Sequence, residues 1–294
     1  MKLRAPKYYT EFACIADRCK HSCCIGWEID IDADTAEKYR QMTGDYAAAV
    51  RESIEPGEPP HFRLGEGERC PHLDERGLCR IIKACGEDAL CEICREHPRF
   101  YHDTCRGREV GLGMACEEAC RLILSSPDYA EFVSVGEASV EEPSEFDAVA
   151  HREELYRLLG DKRISYAERR EKIAELWKVS PADLSDEAAR ELLAELEYLH
   201  PERRELFSVY SSTCADPEDT AELERALAYF IFRHASCARS AEEFREGVGF
   251  ALFCERLLAS IAGPENLAEC ARIISEELEY SEENTESIRF EFSF

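Results

Sequence analysis

The chain has 294 residues, with 36 Lys and Arg against 62 Asp and Glu, a formal net charge of −26. Its 45% hydrophobic content at this length exclude a mostly disordered chain and allow one large or two modest folded domains. So acidic a chain is poorly suited to nucleic acid or an anionic membrane surface, and no apolar run approaches the ~20 residues of a membrane span.

Small molecules, metals and cationic proteins remain as partner classes. The opening residues, MKLRAPKYYTEFACIA, put a Glu where a signal peptide needs its apolar stretch, so the sequence reads as cytoplasmic. Trp27 to Asp32, WEIDID, alternates apolar and acidic residues like a short strand. Asp32 or Asp34 then caps a helix running to about Ser53, with Tyr39, Met42, Tyr46 and Val50 on one stripe. The segment 55–61, EPGEPPH, is a break, and helices are expected over about 86–96 and 115–125. GEASVEEPS at 136–144 is small, acidic and proline-containing, and it reads as a linker between a domain at 1–135 and another at 145–294.

Beyond the linker the apolar period is helical over about 147–160, 164–178, 184–199, 219–238, 242–262 and 265–280. Ser165 with Glu168 makes a capping box, and Gly263-Pro264 separates the last two helices. Leu223, Leu227, Phe230 and Ile231 share a face, while VGFALFC at 248–254 is apolar all round, as in a central bundle helix. The tail SIRFEFSF is expected as an edge strand or a mobile end. The fold class that results is mainly α, with a cysteine-rich, metal-binding N-terminal domain of short strands and loops packed on a C-terminal helical bundle.

Charge and sulfur divide along the chain. Up to Ser125 there are 18 basic and 23 acidic residues, net −5; beyond it there are 18 and 39, net −21. Of the 16 cysteines, twelve fall within the first 120 residues, a density that calls for disulfides or metal ligation. In a reducing compartment ligation is the reading, and sulfur-only ligation suits zinc or an iron–sulfur cluster. Cys14, Cys19, Cys23 and Cys24 lie in one run, with Cys19 and Cys23 spaced to share a helix face. Cys70 and Cys79 bracket a loop whose Gly77 suits a turn, Cys91 and Cys94 form a CxxC pair, and Cys116 with Cys120 repeats the four-residue spacing. His21, His72, His97 and His102 are the imidazoles that could join a mixed zinc site. Adjacent side chains diverge on helix or strand, so Cys23 and Cys24 are not expected to ligate one ion together. Cys85, Cys105 and Cys120 match no ligand pattern.

Familiar catalytic frames are absent. No CxxxCxxC occurs, since Gly26 and Ile123 stand where a third thiol would be needed. Glu109 to Gly113, EVGLG, imitates part of a dinucleotide loop, but Ala115 takes the third glycine position and the segment is read as a plain loop.

The residues do carry a family resemblance. PKYYTEFACIADRCKHSCCIGWEIDID, CPHLDERGLCRIIKACGEDALCEICREHPR and EVGLGMACEEACRLIL resemble successive blocks of the flagellin lysine-N-methylase family. Later, AYFIFRH and ELEYSEEN are similar to two further blocks. Two departures are His97 in place of the family's usual Tyr and Tyr280 in place of its His.

What the resemblance implies is a protein-lysine N-methyltransferase acting on flagellin surface lysines or another lysine-bearing protein. It would use S-adenosylmethionine as donor and depend on a cysteine-ligated 4Fe-4S cluster. The cysteines matching the family frame are Cys14, Cys19, Cys23, Cys24, Cys70, Cys79, Cys94 and Cys116. Eight thiols exceed the four that one cluster takes. Methyl transfer needs a neutral amine in line with the S–CH₃ bond, and aromatic walls favour the sulfonium. Tyr8, Tyr9, Trp27 and Tyr101 are the candidate aromatics, with Trp27 near the cofactor and Tyr8, Tyr9 or Tyr101 near the reacting amine. Arg99 would hold a cofactor carboxylate or screen the cluster, and Glu282 or Glu283 would meet a substrate lysine. The alternative is a non-catalytic zinc- or iron-chelating cysteine-cluster protein.

Overall fold

The computed structural model describes residues 2–140, 144–263 and 265–293. The chain divides into two compact units, Ala13–Arg99 and a larger one of Met1–Phe12 with Phe100–Phe294. Residues 141–143 of the expected linker, Pro264 of the expected helix separator and Phe294 of the tail lie outside the described residues.

In chain order, β1 (Lys2–Pro6) opens the larger unit. Ala13–Arg99 carries α1 (Ala33–Gln41), α2 (Ala47–Glu52), β2 (Ile54–Glu55), β3 (His61–Phe62), α3 (Arg80–Cys85) and α4 (Glu92–Glu96). Then come β4 (Arg99–Thr104), β5 (Gly107–Leu112), α5 (Glu117–Ser125) and β6 (Phe132–Glu137). The helices that follow are α6 (Ala148–Leu159), α7 (Tyr166–Trp177), α8 (Asp186–Glu195), α9 (Arg203–Phe207), α10 (Ala221–Ala235), α11 (Ala241–Ile261), α12 (Leu267–Ile274) and α13 (Glu282–Phe290). One π-helical turn, Ser275–Glu279, joins the last two. The fold is mainly α, with one small sheet in the larger unit.

The larger unit is organised around α10 and α11. Leu223, Leu227, Phe230 and Ile231 of α10 are fully buried, and so is every residue from Val248 to Cys254 of α11. A helix apolar on all sides needs neighbours on all sides, and α7, α9, α10, α12 and α13 supply them. The two axes come close because Gly247 has no side chain: a Cβ there would lie 2.3 Å from the His234 carbonyl oxygen. The Ser165 capping box forms as the sequence implies, its hydroxyl accepting from the Glu168 amide and the Glu168 carboxylate from the Ser165 amide.

The sheet runs β4-β5-β1-β6. β1 pairs in parallel with β5, Leu3 opposite Arg108, and antiparallel with β6, Ala5 opposite Val133. These hydrogen bonds tie both the N-terminus and residues 100–137 to the helical part of the chain, so the contact-based boundary falls at Phe12 and Phe100, whereas the compositional division runs near residue 136.

Four local expectations are corrected. Glu109 to Gly113 is not a loop: Gly107–Leu112 is a buried strand, and a Cβ at Gly111 would lie 2.2 Å from Phe100 Cζ and 2.6 Å from Phe232 Cε1. The glycine reads as a ligand loop but serves ring packing on the sheet. The single helix over 32–53 is two helices, broken at Gly44 with φ of 109°. WEIDID keeps its alternation, with Ile29 and Ile31 buried, but makes only an isolated bridge from Asp30 to His61, because its partner β3 is two residues long and already paired with β2. The tail is helical to Phe290, since the Ser281 hydroxyl caps α13 at the Asn284 amide and Ile288 is buried.

Ala13–Arg99 has little regular structure. Its core is Ile29, Ile31, Tyr39, Val50, Phe62, Leu73 and Ile81, closed by the thiols of Cys70 and Cys91.

Candidate functional site

Three short connections bring thiols together within Ala13–Arg99. The Cys70 amide donates to the Cys24 carbonyl at 2.9 Å, and Ile25 bridges Arg69, which places the vicinal cysteines beside the start of the Cys70 loop. That loop closes through a Leu73–Cys79 bridge. Asp74 holds it, its Oδ1 accepting from the Arg76 and Leu78 amides at 2.9 Å each and its Oδ2 from Lys83 Nζ at 2.7 Å. Gly77, with φ of 77°, makes the turn. Asp32 fixes the third segment: it caps α1 at the Thr35 amide, 2.9 Å, and accepts from the Glu92 amide at the start of α4, 2.8 Å. Tyr39 donates to the Ala89 carbonyl at 2.7 Å and braces the same turn.

The result is a half-buried to buried set of five thiols, Cys24, Cys70, Cys79, Cys91 and Cys94, close enough for their charges to interact. Burial pushes Cys70 up to about 12 and raises Cys79. The Cys91 and Cys94 thiols share a hydrogen bond, which lowers the first and raises the second. A hydrogen bond from Cys23, exposed where Cys24 is half-buried, brings Cys24 down to about 7. Backbone amides of His72, Ile81, Ile82 and Cys94 point at the sulfurs of Cys70, Cys79 and Cys91. Amide donors and gathered thiols are what a soft metal centre requires, since both favour the thiolate that ligates. No disulfide joins the sixteen cysteines. Among the described residues, no three of these five sulfurs lie within 4.8 Å of one another.

Cys91 was left out of the family frame, although its CxxC spacing marked it. Of the other framed cysteines, Cys14 is exposed and Cys19 donates to the His21 carbonyl at 3.1 Å. Cys116 belongs to the larger unit, where it caps α5 and lies near Tyr280. Cys120 is buried, donating to the Ala268 carbonyl at 3.3 Å, a packing role. His72 is buried between Tyr46 and Ser53, at 3.0 and 2.8 Å, and burial draws it down to about 4. His102 is buried in the larger unit against Phe100 and Phe232.

The larger unit holds a second polar centre that sequence reasoning missed. Glu279, at the end of the π turn, accepts from Tyr229 at 2.7 Å, pairs with His234 at 2.6 Å and accepts from Ser275. The Met114 amide donates to the Tyr229 hydroxyl at 3.1 Å. Burial would raise Glu279, but Arg233 and His234 bring it below the usual carboxylate range. These residues stand in the stretches GMAC, AYFIFRH and ELEYSEEN, which only the fold brings to one place. A π turn frequently marks a functional position in a helix.

Tyr8 is buried in the core, raised by burial. Tyr9 is half-buried against the same core. Tyr101 is exposed, with Arg108 stacked at 4.9 Å. Trp27 donates to the Cys23 carbonyl at 2.7 Å and lies 5.8 Å from the His97 ring. Arg99 donates to the Arg95 carbonyl at 3.3 Å. Glu282 and Glu283 are exposed in the first turn of α13; the buried carboxylate of that region is Glu279.

Comparison with known proteins joins these observations to a family. Proteins named lysine-N-methylase from Salmonella typhimurium and Salmonella choleraesuis are 31% identical to the chain over 131 residues, 42% of this chain and 32% of each of them. The flagellar biosynthetic protein FliU of Salmonella muenchen is 32% identical over 130 residues, 42% of this chain and 77% of that protein. The chain belongs to the flagellin lysine-N-methylase family. The aligned region thus spans about a third of the length of the curated lysine-N-methylases it matches. No family model and no solved structure matches this family member. None of its helices, among the described residues, is long and apolar enough to cross a membrane.

Proposed function

We propose that this family member methylates lysine side chains of a protein substrate, flagellin in the first instance, with S-adenosylmethionine as donor and an iron–sulfur cluster held by thiols of Ala13–Arg99. The similarity to proteins named lysine-N-methylase carries the reading. The five-thiol set supports its metal part. A single zinc ion with bonds of about 2.3 Å would draw its sulfurs to roughly 3.8 Å of one another. The wider set here favours an iron–sulfur centre, with Cys24, Cys70, Cys79, Cys91 and Cys94 as the pool from which four ligands come.

S-adenosylmethionine supplies an electrophilic methyl group on a sulfonium. The lysine nitrogen forms the N–C bond as the S–C bond breaks, S-adenosylhomocysteine leaves, and the ammonium proton goes to an acceptor or to water. A lysine near pKa 10.4 must therefore arrive where its charged form is disfavoured. Tyr101 and Tyr280 are exposed aromatic faces of the larger unit for the sulfonium or the methylated ammonium.

Protein purified without oxygen, mixed with S-adenosylmethionine and flagellin, should add methyl groups to lysines detected by peptide mass spectrometry. A brown protein with stoichiometric iron and sulfide but no donor binding would leave a non-catalytic chelating module, the second reading that the thiol set alone favours.

A further inference from the structure

Buried carboxylate–guanidinium pairs recur in the larger unit, and one of them is built differently. Glu109 takes Arg152 with both oxygens, at 2.6 and 2.9 Å, and Glu255 takes Arg256 at 2.7 and 2.5 Å. Such forked pairs consume the guanidinium. Glu279 is instead occupied by Tyr229, His234 and Ser275, and Arg233 approaches it only through Nε, at 3.5 Å. Arg233 otherwise donates from Nη1 to the Tyr229 hydroxyl at 3.2 Å and from Nη2 to the Glu279 carbonyl at 3.4 Å. Of five guanidinium N–H groups, two therefore have no acceptor among the described residues.

The rings of Phe100 and Tyr280 lie 4.9 and 5.1 Å from the Arg233 guanidinium carbon. The side chain is 12% exposed, and Tyr280 beside it is 42% exposed, so the group opens toward solvent. A guanidinium stacked on aromatic rings, with in-plane N–H groups to spare, is suited to a planar anion met edge-on. Arg99, by contrast, sits on the last carbonyls of α4.

We propose that Arg233 docks the carboxylate of the methyl donor's amino-acid end, with Tyr280 as a wall of that subsite. The proposal rests on the methyl-transfer reading. Its test is calorimetric and needs no turnover. S-adenosylhomocysteine is compared with its carboxamide and with 5′-methylthioadenosine, which lacks the amino-acid end. Wild-type protein should prefer S-adenosylhomocysteine to the carboxamide by ~10-fold or more, the size of a charge-assisted hydrogen bond. Arg233→Lys should lose most of that preference while 5′-methylthioadenosine binds as before, because an ammonium cannot make the forked contact. Equal binding of acid and carboxamide by the wild type overturns the proposal, and that readout does not depend on any variant folding. An undiminished preference in a folded Arg233→Lys protein overturns it too. Failure of the wild type to bind any adenosyl ligand refutes the methyl-transfer reading itself, and the docking role with it.

Discussion

Residues 13–99 and the larger unit reach a folded state by different means. The larger unit has helices of up to 21 residues, a continuous apolar core and buried ion pairs whose partners are matched. Ala13–Arg99 has helices of five to nine residues, two strands of two residues and a core in which two of the nine buried members are thiols. Helices this short have little stability of their own, and so small a core needs reinforcement. The contrast teaches that in the first unit cysteine is part of what holds the fold, whereas in the second the apolar core suffices.

The strongest test of that contrast is removal of the thiols. Cys91→Ser with Cys94→Ser should abolish bound metal and strip hydrogen-exchange protection from Ala13–Arg99, because structural metal binding is worth about 10 kcal/mol or more to a small unit. Retained protection in the metal-free variant would break the comparison. Next in size, Arg152→Met should destabilise the larger unit by about 3–5 kcal/mol, since it leaves Glu109 buried and unpaired. Adding Glu109→Gln should recover part of this loss, and denaturant unfolding reads both. Acid comes third. Burial, helped by Arg152 and Arg233, draws His102 down to about 3. An unfolded histidine near 6.5 binds a proton that the folded one refuses, so stability is lost as pH falls from about 6.5 to about 3. His102→Phe should flatten that slope in unfolding measured across the window. The smallest effect is expected at a surface cap: Ser165→Ala should cost about 1 kcal/mol and shift the melting temperature of the larger unit slightly.

The helical half was largely legible because its signals are local. Ser165 and Glu168 are three residues apart, and the apolar run 248–254 declares its burial by itself. The sheet was not legible, since β1 meets β5 with Leu3 opposite Arg108, and no local period announces a parallel partner so far along the chain. Gly111 shows how a glycine misleads: its reason is the rings of Phe100 and Phe232, the latter from α10. In the thiol set, the spacings of Cys70 with Cys79 and Cys91 with Cys94 were visible, but Cys91 was passed over in favour of the framed positions. The Glu279 centre was hidden because Tyr229 and His234 look like two more residues on a core helix.

Sequence alone determined the helical periods, the caps, the sulfur-rich and acid-rich stretches and the family frame, because each depends on residues within a few turns of one another. Tertiary structure decided which thiols meet, which carboxylate is buried beside a phenol and an imidazole, and which guanidinium keeps donors to spare. Those choices depend on backbone pairings and close glycine contacts between distant segments, where packing rather than local propensity sets the neighbours.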